Sequence, residues 1–177
     1  KDASMLTTML QKLNNLKYPT LAVIKGAAFG GGVGLISCCD IALASENSIF
    51  SLSEVKVGLI PATISPYVIN AIGARNARRL FTSGERFDSN IAKQINLVHE
   101  IAKEEDLEKR ISYFINHFKQ NGPQAVIAAK KIVLDIFNKE IDDSVISHTC
   151  EVISALRTSK EGREGVTAFL EKRNPNW

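Results

Sequence analysis

The sequence predicts an α/β fold, and three observations along the chain support this class. Residues 20–24 form a short continuous apolar run, which is typical of a strand that is covered on both faces. A glycine-rich turn at 26–35 leads from this run into a short helical pattern, and a second strand-like run follows at 41–44. From residue 105 onward the apolar residues recur with helical period. A strand, turn, helix and strand followed by helices is the element order of a mixed α/β chain.

The individual elements follow from local signals. The first helix is predicted to end near Asn15, because Pro19 disfavours helix in the residue before it. Asp88 or Ser89 is expected to cap a short helix at its N-terminus, and Asn96 is expected to end that helix in a left-handed conformation. The elements predicted beyond the second strand are a strand at 49–51, helices at 67–72, 75–81 and 91–95, a strand at 97–101, and helices at about 106–120, 124–138, 142–157 and through 166–170.

The composition is that of an ordinary globular chain. Of its 177 residues 45% are hydrophobic and 23% are charged, which argues against disorder, and no tract approaches the roughly 20 apolar residues of a membrane span. The net charge of +3 would help a polyanionic ligand to bind, but the scattered cations do not indicate nucleic acid. Cys38, Cys39 and Cys150 have no metal-ligand spacing, so we expect buried, reduced thiols and no metal site. The expected compartment is a bacterial-type cytoplasm rather than a mitochondrial matrix, with no membrane partner.

The glycine-rich turn is a candidate ligand site. Glycines at the start of a helix leave N–H groups uncovered at the positive end of the helix dipole, where an oxyanion or a phosphate would be stabilised. The alternative is a tight turn without a ligand. The spacing of Gly30 and Gly32 excludes G-x-G-x-x-G, and a G-x-x-x-x-G-K-[ST] phosphate loop is absent from the sequence. The uncovered N–H groups therefore fit a carbonyl oxygen that acquires negative charge.

Glu54 is the second candidate for chemistry. It is the only carboxylate between Glu46 and Glu85, in a stretch of apolar and small residues. One interpretation is general acid–base catalysis. The other is structural, because Ser51 and Glu54 have the spacing of a helix capping box.

Three ordered motifs resemble the enoyl-CoA hydratase/isomerase (crotonase) family. They are 26–32 (GAAFGGG), 39–44 (CDIALA) and 50–61 (FSLSEVKVGLIP), and the segment 168–173 (AFLEKR) is similar to the family's C-terminal signature. The resemblance implies a spiral of β-β-α units over 1–104 and a helical trimerisation region over 105–177. It also implies a homotrimer or a dimer of trimers, and an upstream part of the fold that precedes residue 1.

The resemblance also implies roles for individual residues. The Gly31 N–H would be one of two oxyanion donors to the thioester oxygen of an acyl-CoA, and Glu54 would be the general acid or base. No tightly bound cofactor is expected, since coenzyme A is part of the substrate. Phe169 and Lys172 match positions near the adenine end of coenzyme A, often across a subunit boundary. The substrate-binding positions are Ala27, Phe29, Gly30, Gly31, Gly34, Pro61, Phe169 and Lys172.

Gly34 is the main departure from the family pattern. Straight-chain hydratases of the family carry a second glutamate there, which holds the attacking water together with the first. One interpretation is a monofunctional enoyl-CoA isomerase that uses Glu54 alone. The other is a hydratase for a branched acyl group, with substrate or water in the space at Gly34.

The segment 58–68 favours the branched-chain hydratase. It replaces the glycine-rich turn that is usual after the proline, and it is similar to the subgroup that hydrates 3-methylglutaconyl-CoA or isohexenylglutaconyl-CoA. Leucine or acyclic terpene breakdown would be the setting. A third hypothesis is a non-catalytic member of the family that binds coenzyme A or serves in assembly.

Overall fold

The computed structural model describes residues 2–177, which divide into two compact units, one up to Ile111 and one over Ser112–Trp177. The helices are α1 (Asp2–Asn14), α2 (Gly31–Ser37), α3 (Ser65–Ser83), α4 (Ser89–Gln94), α5 (Leu107–Gln120), α6 (Pro123–Ile136), α7 (Asp143–Thr158) and α8 (Lys160–Leu170). The strands are β1 (Leu21–Ile24), β2 (Ala27–Phe29), β3 (Ile41–Ser45), β4 (Ile49–Ser51), β5 (Arg86–Asp88) and β6 (Glu100–Ala102). Short 3-10 helices lie at Glu54–Val57 and Glu104–Asp106.

The first unit contains two three-stranded sheets within the described residues. The first sheet has the order β1-β3-β6 and is parallel throughout, with Leu21 opposite Ile41 and Leu43 opposite Glu100. The second has the order β2-β4-β5, in which β2 and β4 are parallel and β4 and β5 are antiparallel. Parallel pairing of β1 with β3 requires a crossover, which α2 supplies.

Several sequence predictions differ from these elements. The strands β2 and β5 were not predicted. The strand β2 lies within the segment that was predicted to be a glycine-rich turn, β5 has only three residues, and both pair with β4. The strand predicted at 97–101 is shifted to Glu100–Ala102. Leu97 and Val98 are buried in the preceding loop instead, and the N–H groups of both donate to the Ala92 carbonyl.

Glycines and caps end the helices where the sequence indicated. The two helices predicted at 67–72 and 75–81 form one span that is interrupted at Gly73, where φ is 77° and ψ is 154°. Gly84 ends α3 with a φ of 57°. The Asp88 carboxylate accepts a 2.9 Å hydrogen bond from the Ile91 N–H at the start of α4, and Asn96 has a φ of 67°.

One hydrophobic core holds the first unit together. The rings of Phe50 and Phe87 are stacked with their centroids 5.6 Å apart, which ties β4 to β5. Leu10 of α1 and Val33 of α2 are fully buried in the same core. The core therefore packs α2, the helix that follows the glycine turn, together with α1, β4 and β5.

The second unit is helical. The carboxylate of Glu161 in α8 accepts hydrogen bonds from the backbone N–H groups of Gln124 and Ala125, and so it caps the start of α6. Within residues 2–177, none of the helices has both the length and the hydropathy to cross a membrane.

The predicted burial of the cysteines holds in full only for Cys38, because Cys39 is half-buried and Cys150 is exposed. Cys38 is buried and its burial raises the pKa of its thiol to about 12, but Cys150 lies exposed on α7. None of the three cysteines forms a disulfide bond within residues 2–177. The cysteine spacing on which this expectation was based gives no information about burial, and Cys150 lies on a face that the described residues leave uncovered.

Candidate active site

The turn before α2 has a backbone conformation that requires glycine. Gly30 has φ 49° and ψ −113°, and its N–H donates a 2.9 Å hydrogen bond to the Ser51 carbonyl of β4. The first intrahelical bond runs from the Gly34 N–H to the Gly30 carbonyl, at 3.2 Å. The N–H groups of Gly31 and Gly32 belong to the first turn, which has no intrahelical acceptors, and no side chain caps this end of the helix. Gly31 is exposed, so its N–H is available to an oxygen atom of a ligand.

Glu54 lies beside this turn. A Cβ atom placed on Gly30 would be 2.9 Å from Glu54 Oε1, so the carboxylate rests directly against the Gly30 backbone. Glu54 Oε2 is buried and has no hydrogen-bond partner among the described residues. A buried polar atom without a partner is costly, and in native proteins it calls for a functional explanation.

The capping box proposed for Ser51 and Glu54 is not formed. The Ser51 hydroxyl donates a 3.3 Å hydrogen bond to the Gly84 carbonyl, and the short helix that begins at Glu54 has no side-chain cap. Ser51 thus links β4 to the end of α3. The Glu54 carboxylate has no structural bond that would account for its position.

The space at Gly34 is occupied by Ile64. Gly34 is buried, and a Cβ atom placed on it would lie 2.7 Å from the Cβ of Ile64, with Cγ2 of Ile64 also in contact. Ile64 itself is only 1% exposed. The expectation that substrate or water fills this space is therefore wrong, because an aliphatic side chain from the segment before α3 takes its place.

The other predicted site residues are divided between the two units. In β2 Ala27 is exposed and Phe29 is 40% exposed, with the Arg86 guanidinium 5.5 Å from the Phe29 ring centroid. Pro61 is buried in the segment that also carries Ile64. Phe169, at 82% exposure, and Lys172, with a φ of 55°, belong to the second unit.

Ile64 is the site residue that sequence reasoning missed. The signal was the unusual segment 58–68, but no local pattern shows that one of its side chains points at Gly34. His99 has a structural role, since its Nδ1 accepts a 3.0 Å hydrogen bond from the Ala42 N–H of β3. Within the described residues, no group of three His, Cys, Asp or Glu side chains is arranged to hold a metal ion.

Known proteins resemble this chain over nearly its whole length. The family model described as enoyl-CoA hydratase/isomerase matches residues 3–177. The crystal structure of an enoyl-CoA hydratase from Shewanella pealeana aligns with 99% of this chain and 66% of its own, at 44% identity and a TM-score of 0.95.

Two curated relatives differ in the reaction that their names describe. The enoyl-CoA hydratase ACTT6 of Alternaria alternata is 33% identical, over 89% of this chain and 53% of its own length. The mitochondrial Delta(3,5)-Delta(2,4)-dienoyl-CoA isomerase of Dictyostelium discoideum is 33% identical, over 94% of this chain and 57% of its own length. The chain thus spans little more than half the length of these relatives.

The structural similarity confirms the predicted α/β crotonase-like fold. The chain belongs to the enoyl-CoA hydratase/isomerase family.

Proposed function

We propose that the complete protein adds water to a branched 2-enoyl-CoA similar to 3-methylglutaconyl-CoA. The observation that carries this proposal is the buried, unpartnered Oε2 of Glu54 beside the open N-terminus of α2. Relatives named as enoyl-CoA hydratases support the reaction type. The similarity of the segment 58–68 to the branched-chain subgroup supports the choice of acyl group.

The Gly31 N–H would bind the thioester carbonyl oxygen. As water adds to the β-carbon, the π electrons of the double bond move toward the α-carbon and the carbonyl oxygen, which becomes an enolate oxygen. A fixed N–H group at the positive end of a helix stabilises this developing charge without reorganisation.

Glu54 would transfer a proton from the attacking water to the α-carbon of the substrate. Its carboxylate takes a proton from the attacking water as the water oxygen bonds to the β-carbon, and it then protonates the α-carbon of the enolate. The carboxylate is regenerated, and the product is the 3-hydroxyacyl-CoA. A carboxylate oxygen that has no protein partner is free to bind that water.

The coenzyme A part of the substrate would contact Phe169 and Lys172. Phe169 offers an exposed ring for stacking on adenine, and Lys172 offers a cation for the phosphates. We place these contacts across a subunit boundary of a trimer or a dimer of trimers. Three cysteines that form no disulfide bond within the described residues fit a reducing compartment such as a bacterial cytoplasm.

Isomerisation of a double bond is the second candidate function. The observation that favours it is Ile64, which stands where a second water-holding side chain would lie. Glu54 alone could then take a proton from one carbon of the acyl chain and return it to another, with the enolate as the intermediate. The isomerase relative is consistent with this reaction.

An assay of product mass separates the two candidates. The complete protein is incubated with 3-methylglutaconyl-CoA and with crotonyl-CoA, and loss of the conjugated thioester is followed together with the product mass. We expect a preference for the branched substrate and a gain of one water. Loss of conjugation or a shifted double bond without a gain in mass would support isomerisation instead.

The variant Glu54→Gln tests the assigned base. We expect kcat to fall on the order of 10²-fold or more, with thioester binding retained. Glu105→Gln is the matched control, because Glu105 is exposed on the short 3-10 helix before α5. Unchanged turnover by Glu54→Gln would refute the catalytic proposal and leave a binding or assembly role.

A further inference from the structure

Gly30, the N-cap of α2, and Gly34, within α2, are the two glycines that later side chains contact, and we call this pair the glycine face. They are one helical turn apart, as the hydrogen bond from the Gly34 N–H to the Gly30 carbonyl shows. The glycine face carries no side chain of its own, and the chain that follows supplies two, Glu54 against Gly30 and Ile64 against Gly34.

The position of Ile64 is set by the backbone around it. Ile64 lies at the N-terminus of α3 with φ −92° and ψ −16°, and its carbonyl accepts 3.1 Å hydrogen bonds from the N–H groups of Tyr67 and Val68. The side chain is buried in the core and is in contact with the space above Gly34. An aliphatic side chain held there can neither accept nor donate a hydrogen bond to water.

We infer that Ile64 is a positioning residue that restricts this site to one acid–base side chain. It fills the space above Gly34, so neither a second carboxylate nor a water molecule can occupy that space. Glu54 must then hold and deprotonate the reacting group alone, because α2 contributes no second carboxylate. This inference rests on the proposed function, and it makes residues 34 and 64 a coupled pair that determines substrate choice.

A substitution cycle in the complete protein tests the coupling. The variants are Gly34→Glu, Ile64→Gly and the double variant, and the readout is hydration of crotonyl-CoA with the product mass measured. Gly34→Glu alone should lose activity, because the new side chain collides with Ile64. The double variant should hydrate crotonyl-CoA at least about 10-fold faster than Ile64→Gly, since a second carboxylate can now hold water. A purely structural role for Ile64 would give no such gain.

Thermal unfolding provides a second readout that needs no catalysis. Gly34→Ala should lower Tm because its Cβ meets Ile64, whereas Gly34→Ala in the Ile64→Gly background should leave Tm unchanged or raise it. Gly32→Ala is the matched control in the same helix, since its Cβ would lie 3.7 Å from the Ala28 Cβ, an ordinary contact. Equal effects of Gly34→Ala in both backgrounds would overturn the coupling.

The outcomes distinguish this inference from the proposed function. If Glu54→Gln abolishes turnover but the folded double variant shows no gain over Ile64→Gly, the inference is wrong and the proposed function stands. If Glu54→Gln retains full turnover, the proposed function is wrong, and the role of Ile64 in catalysis fails with it. A gain in the double variant together with a requirement for Glu54 supports both.

Discussion

At the residue scale, position 30 has two requirements that only glycine meets. Its φ of 49° with a ψ of −113° lies outside the regions open to L side chains, and Glu54 Oε1 lies only 2.9 Å from where a Cβ atom would stand. Backbone freedom and close approach of the carboxylate are therefore required at the same residue. The glycine-rich turn and the Glu54 carboxylate meet at this contact.

Gly30→Ala should consequently impair both stability and turnover. The strained backbone should cost on the order of 1–3 kcal/mol in the free energy of unfolding. The added Cβ, 2.9 Å from Glu54 Oε1, should displace the carboxylate and lower kcat more than it raises KM. Denaturant unfolding and steady-state kinetics of the complete protein check both effects. A variant with wild-type kcat would show that the contact between Gly30 and Glu54 is not needed for turnover.

At the element scale, an acidic residue of α8 holds the C-terminal segment. The Glu164 carboxylate accepts hydrogen bonds from Arg173 at 2.7 and 3.0 Å and from the Asn176 N–H at 2.8 Å. The hydrogen bonds from Arg173, followed by that from Asn176, lower the pKa of Glu164 from 4.5 to about 2. The same contacts hold the turn that contains Lys172, one of the residues proposed to bind coenzyme A.

This lowered pKa predicts an acid-dependent loss of stability. The unfolded state binds the proton more tightly, so the contribution of Glu164 is present in full above about pH 4.5 and is lost as pH falls toward 2. Tm measured between pH 6 and pH 2 should fall less steeply in Glu164→Gln than in the wild type. Glu140→Gln is the control, since Glu140 is exposed between α6 and α7. Parallel curves for wild type and Glu164→Gln would contradict the prediction.

At the scale of the whole molecule, the second unit exposes many large apolar side chains. Ile141 is 86% exposed, and Phe137 of the segment after α6 and Ile153 of α7 are also exposed. Exposed apolar area of this extent is typical of surfaces that another chain covers. This exposure supports the proposed trimer or dimer of trimers.

Light scattering of the complete protein should therefore give three or six times the monomer mass. Ile153→Asp should lower this mass toward that of the monomer, because a carboxylate cannot be buried there without a partner. Ser154→Asp adds the same charge at the neighbouring position and serves as the control for charge alone. A monomeric wild type would rule out the proposed assembly.

The sequence by itself determined the elements whose signals are local. The apolar runs of β1, β3 and β4, the helical periods of α5 to α8, the Asp88 cap and the left-handed Asn96 all depend on neighbours a few residues away. The glycine turn and Glu54 were also recognisable in this way, because both stand out from their surroundings.

Only the tertiary structure decided what these residues contact. The bond of Ser51 to Gly84 removes the capping box, and the short strands β2 and β5 exist only through pairing with β4. The contact of Ile64 with Gly34 determines whether the space above Gly34 is open or filled. Such contacts join residues far apart in sequence, and close packing rather than local periodicity determines which side chain fills a given space.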